Sequence, residues 1–301
     1  MLRLARLERR VNVTATLLRR KTHEMCSVFF RERCWSASPF ARNVHVMRQQ
    51  DRLGLILERL NRESSVTVEN LAVQLEVSQA SVRRDLQLLE SQQLLSRTHG
   101  GAVASGVLYE LPMRYRGGHR QDAKRAIAKC AVQLLGPKVT SVGLNGGSTT
   151  TEVARVLASR TGLRVVTNAL NIASELAVRS SIELVVCGGS ARAESYELVG
   201  PLAEMTLTHI NIDVAIIGVD GVNVVAGLTT HDAVEAQTNR CLLSAAERVI
   251  VVADSSKIGH RGFARISEIG VVSDLVTDSD ADEADVAELE RAGLKVHRAQ
   301  S

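Results

Sequence analysis

The chain has no Cys-x-x-Cys pair, and its five cysteines (Cys26, Cys34, Cys130, Cys187 and Cys241) are an odd number without histidines at zinc-finger spacing. That pattern speaks against a disulfide framework and against a structural zinc site, so the cysteines read as reduced, mostly buried small hydrophobes in a reducing cytosol. No apolar run approaches the ~18 residues that a membrane span requires, and no low-complexity tract or internal repeat interrupts the chain. A metal-ligand cluster, an activated nucleophile and a cofactor fingerprint are all lacking as well. The expectation is a soluble cytoplasmic protein that holds no metal and no cofactor, with no membrane partner.

The chain does have length and core material: 301 residues with 45% apolar content are enough for two domains. Its net charge of +4 is unevenly placed. Residues 1–46 carry ten Arg or Lys against three Glu, a surplus of seven that leaves −3 for residues 47–301. This leader has only brief apolar patches such as Val28 to Phe30, so it is neither a membrane anchor nor a secretory signal, although its Arg-rich composition is that of transit peptides. Met47 directly precedes the first patterned helix. A start at Met47, with a disordered or spurious leader, is the expectation.

From Arg48 to Leu60, Leu53, Ile56, Leu57 and Leu60 recur at helical steps and define one buried face. A β-branched segment, Val66 to Val68, leads to a brief second helix with Leu71, Ala72 and Leu75 inward. Ser78 stands where the N-cap of a third helix belongs. In that helix Val82, Leu86 and Leu89 face inward, which leaves Gln79, Ser81, Arg83 and Arg84 outward. Two helices joined by a tight turn, the second with amides, hydroxyls and guanidiniums at its N-terminal end, suit major-groove reading. Residues 94–103 read as two short strands around a glycine turn, a wing that would lay Arg97 and His99 on the DNA backbone. The competing reading is a solvated helix face, with Asp85 and Glu90 as salt partners of Arg83 and Arg84. The run VTVENLAVQLEVSQASVRRDLQLLESQQLLSRTHGGA, residues 66–102, resembles the winged helix-turn-helix of the DeoR/GlpR family of bacterial regulators. Gln93 departs from it, since the family usually has glycine at the turn into the wing. The resemblance implies DNA contact by Ser78, Gln79, Ser81, Arg83, Arg84, Arg97 and His99.

Residues 104–121 read as a connector with Tyr109, Leu111, Met113 and Tyr115 as anchors. Beyond it, helical and β-branched segments alternate. Helices are expected at 122–135, 151–159, 171–179, 232–246 and 282–292, and strands at 139–144, 163–167, 182–187, 213–218, 248–253 and 274–277. Uninterrupted apolar strands such as Val214 to Ile217 and Val249 to Val252 are those of a parallel sheet covered on both faces, an α/β fold in which ligands bind beyond the carboxyl ends of strands. At those ends lie Asn145, Gly146, Gly147, Ser148, Thr149 and Thr150, a strand-to-helix turn suited to phosphate though neither a Walker loop nor a Rossmann fingerprint. Thr167 and Asn168 end the next strand, and Gly188, Gly189 and Arg192 follow the third. Each of these is also ordinary turn chemistry; together they point to an anion. Further on, Lys257 is placed to neutralise a phosphate, and Asp220 and Glu235 to accept sugar hydroxyls or an amine. For Asp232 and Asp254, helix-terminal capping competes with a ligand role.

These loops, with LVGPLAEMTL, DVAIIGVDG and VVADSSKIG, resemble the C-terminal sensor domain of the same family, so the resemblance spans residues 47–299. It implies a fold shared with sugar-phosphate isomerases and CoA transferases and the binding of a phosphorylated sugar. The family commonly has Asp where this chain has Asn145. GLTTHDAVEAQTNR and AERVIVVADSSK resemble the AgaR-type regulators of amino-sugar catabolism, which ranks amino-sugar phosphates first as effector. The domain division that follows is a leader at 1–46, a winged helix-turn-helix at 47–103, a linker at 104–121 and a sensor at 122–301. The expected function is an operator-binding repressor of a sugar or amino-sugar operon, acting as a homodimer or homotetramer because paired half-sites need paired readers. The alternative is a sugar-phosphate isomerase or deaminase with an attached DNA-binding module, with Glu235, Asp220 and Lys257 as acid-base groups. Fold kinship does not carry activity with it.

Overall fold

The computed structural model describes residues 47–104, 112–116 and 120–300. The basic leader, with Cys26 and Cys34, and the anchors Tyr109 and Leu111 fall outside them.

The N-terminal module opens with α1 (Gln49–Glu63), whose Leu53, Ile56, Leu57 and Leu60 are buried as their spacing requires. Strand β1 (Ser65–Thr67) follows, with α2 (Val68–Gln74) capped by the Thr67 hydroxyl and α3 (Gln79–Ser91) capped by Ser78, which accepts from the Ser81 amide at 3.2 Å. Strands β2 (Ser96–Arg97) and β3 (Gly101–Val103) form the wing. The sequence reading missed one feature: β1 pairs with β3 as well, so the wing is a three-stranded sheet in the order β1-β3-β2 that ties it back to the first helices. Gly101 makes the junction possible, because a Cβ there would meet the Val66 carbonyl oxygen at 1.9 Å.

α3 ends in a Schellman turn, with the Gln93 amide on Glu90 O at 2.8 Å and the Leu94 amide on Leu89 O at 3.1 Å. Gln93 itself has φ 60, the left-handed region that glycine occupies without penalty. The departure from the family's glycine therefore falls on the one residue of the turn where a side chain is strained. Gln93→Gly is expected to stabilise the winged module by about 1 kcal/mol, read as a higher urea midpoint.

A short helix α4 (Met113–Arg116) precedes the larger domain, in which α5 (Gln121–Gln133), α6 (Ser148–Leu157), α7 (Leu170–Leu176), α8 (Pro201–Leu207), α9 (Ala233–Ser244) and α10 (Glu283–Arg291) surround a parallel sheet. The sheet comprises β4 (Ser141–Leu144), β5 (Leu163–Thr167), β6 (Ile182–Val186), β9 (Ile212–Gly218), β12 (Ala246–Val252), β14 (Asp274–Asp278) and β15 (Lys295–Ala299), ordered β15-β14-β12-β9-β4-β5-β6. Its strands alternate between two cores. Val214, Ile216, Ile250 and Val252 pack under α5, α6 and α7, whereas Ala215, Ile217, Val249 and Val251 pack under α8, α9 and α10. Two-sided burial explains why these strands read as continuous apolar runs.

Two expectations shift, and part of the competing reading of α3 falls. α6 begins at Ser148 rather than 151, so Ser148, Thr149 and Thr150 form the first helical turn. Helix α8, strand β15, the hairpin β7 (Ser190–Arg192) and β8 (Glu197–Val199), and the small sheet of β10 (Gly221–Asn223), β11 (Gly227–Thr230) and β13 (Ala264–Ser267) had no counterpart in the sequence reading. Asp85 is not a solvent partner of Arg83 or Arg84: it is fully buried, with the Arg52 guanidinium at 2.5 and 3.1 Å and the Gln49 amide at 3.0 Å. Its position on α3 places it on the inner face beside Leu86 and Leu89, opposite α1.

Candidate functional site

In the sheet, the chain moves outward from β4 to β5 and β6, then returns to the other side of β4 with β9 and continues to β12, β14 and β15. Adjacent parallel strands whose connections leave in opposite directions open a crevice at their carboxyl ends. Here that crevice lies beyond β4 and β9 and is strapped by Asn145. Its Nδ2 donates to Gly218 O at 2.9 Å, and its Oδ1 accepts from the Gly218 amide at 2.8 Å. An ionised Asp accepts only, so the family's usual carboxylate could satisfy one side of this strap and not both.

Next to it the backbone is held open by two glycines. A Cβ on Gly146 would meet Glu197 Cγ at 2.5 Å, and Gly147 has φ 145. The Gly146 amide donates to Glu197 Oε1 at 2.5 Å. Gly147 then caps α6, whose first-turn amides have no intrahelical partner and form the positive end of the helix dipole. A cavity of about 880 Å³ opens above, with Asn145, Gly146, Gly147, Ser148 and Thr149 in its wall, together with Asp220, Glu235 and Lys257.

Thr150, Thr167, Asn168, Gly188, Gly189 and Arg192 are not among the lining residues. Thr150 donates back to Gly147 O at 3.0 Å, the Thr167 hydroxyl accepts from the Ala169 amide at 3.1 Å, and Asn168 Nδ2 donates to Leu198 O at 3.1 Å. Gly189, at φ 141, lets the β7-β8 hairpin close against Val199, and a Cβ on Gly188 would stand 3.7 Å from that of Leu202. Arg192 lies 3.1 Å from Glu235 and 3.8 Å from Asp232. Asp232 and Asp254 do act as caps, accepting the amides of Val234 and Glu235 and of Ser256.

Several lining residues were missed from the sequence. Arg116 lies 3.4 Å from Asp220, and Lys257 and His231 approach the same carboxylate at 3.5 and 3.7 Å. Burial alone would raise the carboxyl of Asp220, but Arg116, Lys257 and His231, with the Thr230 hydroxyl, hold it well below the usual carboxylate range. Thr230 Oγ1 sits 2.5 Å from Glu235 and 3.1 Å from Asp220. Lys124, on α5, is almost fully buried and donates to Arg116 O at 2.9 Å. Burial pulls its ammonium down to about 8 against the pull of Asp254, and Lys257 and Arg116 add to the depression. A signal for Lys124 existed in the sequence, since it lies three, four and seven residues before Ile127, Ala128 and Ala131 on the apolar stripe of its helix. Ser195 lines the cavity with a buried hydroxyl that has no protein partner. Glu58 and Asn61 of α1 reach the same wall from the N-terminal module. Among the described residues no group of His, Cys, Asp or Glu could hold a metal ion, and no helix is long and apolar enough to cross a membrane.

In the N-terminal module, Ser78, Gln79, Arg83 and Arg84 are exposed along the first turns of α3, with Ser81 half-buried among them. Ser78 and Ser81 hydroxyls lie 3.0 Å apart, and Arg83 reaches Gln79 at 3.4 Å. His99 is exposed at the wing tip, while Arg97 lies 3.3 Å from Glu90. One amphipathic helix therefore presents amide, hydroxyl and guanidinium groups on a single outer face, beside a basic wing.

The profile of the DeoR-like helix-turn-helix domain matches residues 52–105, and that of the DeoR C terminal sensor domain matches residues 119–279. The chain belongs to the DeoR family. Among DeoR-family relatives, the putative aga operon transcriptional repressor of Escherichia coli O157:H7 is 32% identical over 80% of this chain and 90% of its own length. The HTH-type transcriptional regulator GlpR of Haloferax volcanii is 34% identical over 83% of this chain and 98% of its own length. A ribose 5-phosphate isomerase structure from Methanocaldococcus jannaschii aligns with a TM-score of 0.32 and 21% identity over 46% of this chain and 54% of that chain, too slight a likeness to argue from.

Proposed function

We propose that this DeoR-family protein is a cytoplasmic transcriptional repressor of a sugar or amino-sugar catabolic operon, released from its operator by a phosphorylated sugar. We assign residues 47–103 to reading DNA, 104–121 to linking and 122–301 to sensing. The observation that carries the reading is the cavity at the sheet's switch point. It combines a glycine-opened helix N-terminus at Gly146 to Thr149 with Lys124 and Lys257, in a chain that also carries an exposed α3 face of Gln79, Arg83 and Arg84. Helix N-termini and ammonium groups favour a phosphate, while Asp220 and Glu235 suit sugar hydroxyls or an amine. The aga operon repressor among the relatives supports ranking amino-sugar phosphates first. A homodimer or homotetramer is proposed because one recognition helix reads one half-site.

The isomerase reading needs Asp220 or Glu235 as a proton acceptor. A carboxylate as strongly held in its ionised form as Asp220 is a weak base, which disfavours Asp220 as that acceptor.

The test begins with selection of bound duplexes from random-sequence DNA, followed by calorimetry of each sugar against its phosphate and a repeat operator titration with saturating ligand. Phosphorylated sugars are expected to bind and their parent sugars not to, with operator affinity falling roughly 5- to 150-fold. Equal binding of sugar and phosphate, or turnover of the phosphate, would refute the proposal.

A further inference from the structure

The four residues of α4 belong to both halves of the protein. Tyr115 is 3% exposed and packs in the core of the N-terminal module with Leu53, Leu57 and Leu89. α1 approaches it at Gly54, where a Cβ would stand 2.3 Å from the Tyr115 carbonyl oxygen. The Tyr115 hydroxyl donates to Gln92 Oε1, and Arg114 reaches the same oxygen at 3.2 Å. Gln92 is the C-cap of α3, the helix that carries Arg83 and Arg84. On its other side the segment belongs to the sensor. The Met113 amide donates to Glu194 O at 2.7 Å, Arg116 O accepts from buried Lys124, and the Arg116 guanidinium lies beside Asp220 in the cavity.

We propose that Arg116 is a binding residue for the anionic group of the effector, and that α4 carries its engagement through Tyr115 and Gln92 to the recognition helix. The inference rests on the effector reading above and assigns the element through which it acts. Arg116 lies beside the carboxylate of Asp220 and lines the same cavity as Lys124, Lys257 and the α6 N-terminus, where a bound anion would offer it a second partner of the same kind. A guanidinium that shifts toward the second draws on a backbone whose adjacent residue is locked in the other domain's core. With Gly54 in backbone contact and no room for slack, a displacement of α4 moves α1 or Gln92. The coupling is then a competition between two packed arrangements, and by linkage operator binding must oppose effector binding by the same factor.

The experiment uses the full chain as wild type, Arg116→Gln and Tyr115→Phe, the selected operator duplex, and glucosamine 6-phosphate as probe. Arg116→Gln is expected to weaken the probe about tenfold or more. Tyr115→Phe retains the ring and Arg116, so probe affinity should stay within about twofold while the probe's effect on operator affinity collapses from at least about fivefold to below about twofold. Hydrogen exchange without any ligand gives an independent arm. Either variant should speed exchange of the amides of residues 86–94 and leave those of β4, β9 and β12 unchanged, so a variant that merely misfolds is recognised. Undiminished coupling in Tyr115→Phe, wild-type probe affinity in Arg116→Gln, or unaltered exchange at 86–94 in both variants overturns the proposal. A wild-type protein indifferent to every sugar phosphate, with altered exchange in the variants, instead overturns the effector reading and leaves the mechanical link standing.

Discussion

Asp85→Ala is expected to unfold the winged module, and its neighbour Arg84→Ala to leave it folded and blind. Asp85 is fully buried and satisfied by Arg52 and Gln49, both from α1. Removing the carboxylate leaves the Arg52 guanidinium, 11% exposed, without its counter-charge. Breaking one side of such a pair costs about 3 to 5 kcal/mol. A small domain's entire stability is of that order, about 5 kcal/mol at the low end. The melting curve should therefore move to lower temperature, and operator binding should vanish with the module. Arg84 is exposed on the same helix, so its loss removes no packing. If it reads a base, operator affinity falls by roughly 1 to 3 kcal/mol with specificity relaxed at one position. An unchanged melt for Asp85→Ala, or operator affinity untouched in Arg84→Ala, would show that the two roles have been assigned the wrong way round.

This pair also illustrates what the sequence can and cannot disclose. Periodicity gave the inward Val82, Leu86 and Leu89 and the outward Arg83 and Arg84, because an apolar stripe is a local property. It treated Asp85 as solvated because charge is usually an outer-face property. The partner that permits its burial, Arg52, is 33 residues away and on another helix. The same limit holds at the cavity. Asn145 to Thr149 were legible since a strand, two glycines and a helix N-terminus are consecutive, and Lys257 and Asp220 because each follows an apolar strand. Lys124, Arg116 and Ser195 were not read as lining residues, because the carboxyl ends of β4 and β9 meet them only after the crossover places β9 beside β4. Short strands such as β7, β8 and β10 span three residues each, too few for an alternation to register. Gly188, Gly189 and Arg192 were grouped with the cavity because a strand end is where ligands gather. Gly189 lets the β7-β8 hairpin close against Val199, and Arg192 reaches the cavity wall through Glu235.

The other large effect concerns pH. Phosphate binding should weaken as pH rises through about 8, the value to which burial pulls the Lys124 ammonium. In the folded protein Lys124 is protonated below that value and attracts an anion. An anion in the cavity must in turn raise the lysine's affinity for its proton, so ligand binding and protonation reinforce each other. Affinity is then flat below the free-protein value and falls above it, approaching tenfold per pH unit until the ligand-bound protein also releases the proton. Folding has the opposite sign. The unfolded chain holds this proton up to the ordinary lysine value of 10.5, so from about pH 8 upward Lys124 contributes stability that rises with pH. Above about pH 9 the buried thiol of Cys187, pushed up to about 11 by burial, contributes with the opposite sign. Between pH 8 and 9 a ligand that weakens without loss of stability therefore separates this mechanism from alkaline unfolding, which would weaken both. Lys124→Met retains much of the buried aliphatic volume, removes the charge, and should bind the phosphate less tightly with the slope between pH 8 and 9 abolished. Calorimetry of glucose 6-phosphate from pH 7.5 to 9.5 reads both, because this probe has no amine and its phosphate is already a dianion over that range. Persistence of the same slope in Lys124→Met would assign the titration elsewhere and remove Lys124 from the anion site.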